Sequence, residues 1–243
     1  MKQPVDQTEN EFTITGLLPN VLTLMAICAG LTAIRFGFRG DYVTAVQLIM
    51  AAGVLDGLDG RLARLLKSES KMGAELDSLA DFLNFGVAPA LVVYVWTLQE
   101  VRGGWICALF FAICCVLRLA RFNVGNDNND ANDGSFFEGV PAPAGALLVM
   151  LPMYVSFAFI EAPIVPGVAV CAYLILIGLL LISRIPVWSF KKTRISRENA
   201  KYFLVGVAVA VAALLTFSWI TLIVLCVAYV FYVVGAWVRV RRS

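Results

Sequence analysis

The sequence predicts an all-α, polytopic transmembrane bundle of about eight spans, and three observations carry that prediction. Of its 243 residues, 60% are hydrophobic and 15% charged, against about half and about a quarter in soluble domains. Apolar stretches of about 20 residues, enough to cross the hydrocarbon core as helices, recur along the whole chain. The 19 basic residues cluster in a few segments between those stretches. No soluble domain is expected, and nucleic acid is not an expected partner.

The expected helices are 19–38, 42–66, 73–98, 105–122, 141–160, 166–183, 202–217 and 219–238. Pro19, Pro141 and Pro166 suit a first helical turn, where a missing backbone donor costs nothing. Trp105, Trp219 and Trp237 sit where aromatic belts anchor helix ends. With both termini placed in the cytoplasm, 16 of the 19 basic residues fall on the cytoplasmic side and only Arg35, Arg39 and Arg102 fall outside. That asymmetry is the positive-inside pattern. Residues 1–11 are polar and acidic and the first apolar stretch lacks a basic leader, so no cleavable signal peptide is expected.

Segment 123–139, rich in Asn, Asp and Gly, reads as a solvated cytoplasmic loop that either covers a substrate or is a plain surface connection. Segment 184–201 holds six basic residues that fix topology and could meet anionic headgroups. The six cysteines lie inside apolar segments with no CxxC pair, and the chain has no histidine, so they read as packing residues rather than a zinc site.

Asp56, Asp59, Asp77 and Asp81 do not fit an apolar helix. Each carboxylate at membrane depth costs about 2.5–3.5 kcal/mol on insertion scales, so something positive is expected among them. The three-residue and four-residue spacings put each pair on one helix face. Gly60, Ala63 and Gly73 beside them allow close helix approach and leave a pocket. Facing pairs of hard oxygen ligands suit magnesium or manganese, and two such ions could bridge a diphosphate. Ion pairs with Arg61 and Arg64, or a proton or cation pathway, remain alternatives.

Residues 56–81 match the pattern D-x2-D-G-x2-A-R-x8-G-x3-D-x3-D at all eight fixed positions. This resembles the signature of the CDP-alcohol phosphotransferase family. The resemblance implies that Asp56, Asp59, Asp77 and Asp81 bind two divalent ions, Mg2+ or Mn2+, with Asp81 also accepting a proton from the attacking alcohol. It implies that Asp59, Gly60, Ala63, Arg64 and Gly73 hold the cytidine nucleotide and its phosphates. It further implies a six-helix catalytic core over 19–183, flanked by a cytoplasmic segment 1–18, a basic loop 184–201, and two additional spans with a basic tail over 202–243. A homodimer in a bacterial inner membrane is expected from the same resemblance.

A second tier of residues, LDSLADFLNFGVAPA with RLARFN at 118–123 and FEGVPAPA at 137–144, resembles the bacterial branch of that family that uses L-serine. CDP-diacylglycerol and L-serine are then the expected substrates, with LLPNVLT compatible but unspecific. Arg118 and Arg121 are acceptor candidates by charge and depth, with topological anchoring as their alternative. Asn84, three residues after Asp81, either contacts the acceptor or makes a helix–helix hydrogen bond. The absence of histidine removes transfer through a phosphatidylated histidine. Another alcohol in the same reaction, glycerol 3-phosphate or an inositol compound, and a cation transporter are the competing readings.

Overall fold

The computed structural model describes residues 14–127, 136–159, 165–183, 186–188 and 197–242. Its helices are α1 (Ile14–Phe38), α2 (Tyr42–Leu66), α3 (Lys71–Leu98), α4 (Gly104–Asp127), α5 (Ala142–Val149), α6 (Leu151–Phe159), α7 (Gly167–Ile182), α8 (Arg197–Thr216) and α9 (Ser218–Arg242). Among the described residues α1–α4 and α9 are long and apolar enough to span a membrane, and α5 with α6 makes a sixth crossing if the bent pair is one span. The bundle is thus the all-α membrane architecture expected from composition.

The link from α2 to α3 is what brings the two halves of the acidic motif face to face. Lys67 adopts a left-handed conformation at φ 52°, and its N–H bonds the Ala63 and Arg64 carbonyls. This closes the helix where a β-carbon makes that conformation costly. Ser70 then caps α3, its Oγ accepting from the Gly73 N–H at 3.0 Å. α3 is not regular: Phe82–Val87 and Tyr94–Leu98 are π-helical turns. The first precedes Pro89, which has no N–H to bond the Phe85 carbonyl, and the widened turn absorbs that loss.

Several expectations are corrected. α1 begins at Ile14, with Pro19 inside it; the residues upstream of Pro19 continue the helix because proline at its sixth position leaves only the Thr15 carbonyl without a backbone donor. Pro141 and Pro166 are N-caps rather than first-turn residues. The expected helix 141–160 is two helices meeting at 41°. Pro152 cannot bond the Leu148 carbonyl, and the Tyr173 hydroxyl of α7 donates to it instead at 2.8 Å. The expected loop 123–139 starts helical, as α4 runs to Asp127, and ends in strand β1 (Phe136–Glu138), paired antiparallel with β2 (Pro186–Trp188) from the basic segment. The extended pairing satisfies backbone groups that a free loop would leave to water. Residues 1–13, 128–135, 160–164, 184–185, 189–196 and 243 lie outside the described residues, as does much of the expected basic loop.

Small residues set the helix spacing, as expected where lipid offers no hydrophobic drive for helix association. A β-carbon on Gly37 would press on Val92, one on Gly53 on Phe85, and one on Gly178 on Phe110 and Cys114. Gly139, at φ 83°, passes so close to the Ser183 carbonyl that no side chain fits. Outside the core, large apolar side chains such as Leu65, Val168, Leu215 and Phe231 are exposed, a surface suited to acyl chains rather than water. The six cysteines are free thiols.

Tyr173→Phe removes the donor at the α5–α6 break without altering packing volume. It is expected to cost about 1 kcal/mol, lowering the melting temperature in detergent by about 2–4 °C.

Candidate active site

The site is built where α1, α2 and α3 meet at the α2–α3 turn. A cavity of about 380 Å³ opens there, lined by Asp59, Gly60, Ala63 and Arg64 of α2 and by Gly73, Ala74 and Asp77 of α3. Pro19, Asn20 and Thr23 of α1 form a third wall, and Ser68, Glu69 and Ser70 of the turn close it. All five residues expected to hold the nucleotide therefore face one cavity. Its lining of three carboxylates, a guanidinium, an amide and hydroxyls is polar where the helices are otherwise apolar.

Gly60 has nothing within 4 Å of where a β-carbon would sit, so its missing side chain is empty space in the cavity. A β-carbon on Gly73 would instead lie 3.0 Å from the Asn20 amide oxygen, where a side chain would push α1 from α3. The two glycines thus act differently: one leaves volume, the other permits contact.

Asp59 is buried, and both its oxygens are held, Oδ2 by the Thr23 hydroxyl and Oδ1 by the Gly60 N–H. Thr23 Oγ1 also lies 3.1 Å from the Pro19 carbonyl. Asp77 lines the cavity, whereas Asp56 and Asp81 lie beside it and close to each other. Two carboxyl groups in contact need a proton or a cation between them. The charges of Asp59, Asp77 and Asp81 all reach Asp56. The four expected carboxylates thus form one electrostatic cluster, with Asp59 and Asp77 shared between cluster and cavity.

Among the described residues neither Arg61 nor Arg64 forms an ion pair with these carboxylates, although the Arg64 charge reaches Asp77. No three acidic side chains among the described residues converge closely enough to enclose an ion as they stand. The donor set nonetheless fits a hard divalent cation. It is all oxygen, makes no ion pair among the described residues, and includes Asp56 Oδ1, buried with no hydrogen-bond partner.

The acceptor candidates do not gather in one place. Arg121 donates from NH1 to the Ile182 carbonyl at 3.0 Å, tying α4 to the end of α7. Asn84 is fully buried, makes no hydrogen bond, and packs on Gly30 of α1. The expected interhelical hydrogen bond is therefore absent. Gly86, two residues on, faces Cys115 of α4, so Asn84 points away from Arg118. Only Arg118 lies within electrostatic reach of Asp81.

The α1 wall was missed from sequence. Asn20 and Thr23 share a helix face by their three-residue spacing, and they lie in the LLPNVLT string; no charge there marks Thr23 as a partner of Asp59 or Asn20 as a neighbour of Gly73. Gly60→Leu should fill the cavity without disturbing helix packing. Binding of CDP with magnesium, read by calorimetry, is expected to weaken by about tenfold or more, the equivalent of about 1.4 kcal/mol, while the melting temperature is unchanged.

The family model for CDP-alcohol phosphatidyltransferase matches residues 16–182. A CDP-diacylglycerol–serine O-phosphatidyltransferase of Mycobacterium tuberculosis is 40% identical over 228 residues, 93% of this chain and 79% of that one. The enzyme of the same name from Helicobacter pylori is 37% identical over 191 residues, 77% of each chain. That of Methanocaldococcus jannaschii is 33% identical over 224 residues, 91% of this chain and 94% of that one. With the motif, the cavity and the carboxylate cluster arranged around the same three helices, the chain belongs to the CDP-alcohol phosphatidyltransferase family.

Proposed function

We propose that this chain transfers the phosphatidyl group of CDP-diacylglycerol to L-serine, giving phosphatidylserine and CMP. The observation that carries the reading is the sharing of Asp59 and Asp77 between a nucleotide-sized cavity and the acidic cluster. A nucleotide seated among Gly60, Ala63, Arg64 and Gly73 brings its diphosphate to the carboxylates. The serine-using relatives, drawn from several organisms, support the choice of acceptor.

In this reading the cytidine occupies the space that Gly60 leaves open, Asn20 offers its amide to the base or ribose, and Arg64 meets phosphate. Thr23 holds Asp59 in one orientation. Asp56, Asp59, Asp77 and Asp81 would hold two divalent ions, Mg2+ or Mn2+, whose charge offsets that of the diphosphate and of the phosphorus centre under attack. Asp81 takes the proton from the serine hydroxyl as that oxygen bonds to the lipid-linked phosphorus. The bond from phosphorus to the bridging oxygen breaks, and CMP leaves with the electron pair. The diacylglycerol tails leave sideways along the apolar outer faces of the helices.

The 16-to-3 distribution of basic residues supports a cytoplasmic site with both termini on that side. A homodimer follows from family resemblance and is read by mass in detergent.

Chelation is expected to abolish CMP release, and magnesium or manganese to restore it; full activity in a metal-free preparation would sink the two-ion reading. With a panel of alcohols, serine is the expected acceptor, and CMP release with glycerol 3-phosphate but not serine would move the chain to another branch of the family. Asp81→Asn preserves shape but removes the basic oxygen. If Asp81 acts as the base, turnover falls by about 10²–10⁴-fold while CDP-diacylglycerol still binds with metal; if it acts mainly as a ligand, nucleotide and metal binding weaken together.

A further inference from the structure

Among the described residues four buried donors outside the cavity lack an acceptor: Nδ2 of Asn84, the Tyr154 hydroxyl, Nε of Arg118 on α4 and the hydroxyl of Tyr229 on α9. A donor sealed from solvent without a partner forfeits its hydration and gains nothing in return. For a guanidinium at membrane depth the missing partner is an anion.

Of these four, Arg118 and Tyr229 are set towards one another by the helices that carry them and by the reach of their charges. α3 and α4 run antiparallel: the Asn123 amide donates to Ser78 Oγ at 3.0 Å, and Gly86 stands against Cys115. Interpolation between these contacts sets Arg118 level with Leu83, just past Asp81 along α3. From the other side, α9 is fastened to α5 and α6. The Trp219 ring stacks on Tyr154 with centroids 6.3 Å apart and meets Phe157 edge-on at 4.9 Å. Cys226 Sγ reaches the Leu147 carbonyl at 3.6 Å. Tyr229 lies one turn beyond Cys226, within electrostatic reach of Arg118, which in turn reaches Asp81.

We infer that Arg118 and Tyr229 form a carboxylate clamp for the acceptor amino acid, so that the last span, outside the residues matched by the family model, completes the acceptor site. The inference rests on L-serine being the acceptor. Both groups can donate, and a carboxylate offers an oxygen to each. Serine is short enough that anchoring its carboxylate at Arg118 delivers its hydroxyl to Asp81. Asn84 and Arg121 take no part, the first facing α1 and the second engaged with Ile182. A phosphate of the lipid donor shares the chemistry of a carboxylate, and the test separates the two.

The test measures CMP release by the full-length enzyme in nanodiscs with CDP-diacylglycerol and magnesium. The acceptors are L-serine and serinol, in which a hydroxymethyl group replaces the carboxylate. Wild-type enzyme is expected to prefer serine. Tyr229→Phe, which keeps the ring, is expected to raise the serine KM by about tenfold, the loss of one hydrogen bond to a charged group. The KM for CDP-diacylglycerol and the rate with serinol should not change. Arg118→Lys should narrow the preference for serine over serinol further. An unchanged serine KM in Tyr229→Phe, or equal wild-type use of serine and serinol, overturns the clamp. A rise in the KM for CDP-diacylglycerol instead assigns the pair to the donor phosphate and also overturns it. Wild-type enzyme that turns over another alcohol but not serine overturns the acceptor assignment beneath, a result read before any variant is made.

Discussion

Four carboxylates inside a lipid-facing bundle are the constraint around which the rest is arranged. At about 2.5–3.5 kcal/mol each on insertion scales, they are tolerable only where other groups replace water. The bundle meets this locally. Thr23 reaches from α1 to Asp59, and the α2–α3 turn sets two carboxylates opposite two others, with Asp56 close to Asp81. The absence of an arginine ion pair among the described residues matters here. A fixed guanidinium would settle the charge permanently and leave nothing for a cation and a diphosphate to neutralise.

The same constraint accounts for the irregular backbone of α3. Asp81 is the last residue before the π-helical turn Phe82–Val87. An α-helix continued through that point would keep a strict 3.6-residue period. The wider turn resets which residues face which neighbour after the acidic pair has been placed. Within it Asn84 meets Gly30, Phe85 meets Gly53 and Gly86 meets Cys115, so three consecutive residues address α1, α2 and α4. One helix thereby serves as the common wall of three interfaces, and Pro89 is accommodated by the same distortion.

How far this was legible in the sequence depends on what kind of force placed each residue. The carboxylates and the small residues between them were legible because their intervals are fixed by helix periodicity and their charge is costly anywhere else in such a chain. Helix existence was legible from apolar length. The α1 wall was not, because Asn20 and Thr23 are neutral and meet neighbours far along the chain, Asn20 at Gly73 and Thr23 at Asp59, 36 residues away. The break before Pro152 was passed over because proline is common in membrane helices and its effect depends on whether another helix supplies a donor, here Tyr173. The β1–β2 pair escaped because its two short strands lie about 50 residues apart in segments whose composition reads as loop. Asn84 and Arg121 were chosen by position and charge; only packing shows that one faces α1 and the other caps α7.

The final spans illustrate the difference between attachment and function. The family model stops at residue 182, yet the 93% coverage of this chain by the Mycobacterium tuberculosis relative requires the likeness to run past that point. What fastens α9 to the core is aromatic packing around Trp219, with Tyr154 and Phe157 of α6. Such contacts are worth about 0.5–1.5 kcal/mol beyond area burial and carry no chemistry. They do fix the helix along its axis. At about 1.5 Å per residue, the ten residues from Trp219 to Tyr229 carry the chain about 15 Å, roughly half the hydrocarbon thickness. An apolar contact at one end of α9 thus determines the depth at which a polar group near its middle is presented, beside the one arginine of α4 that reaches Asp81.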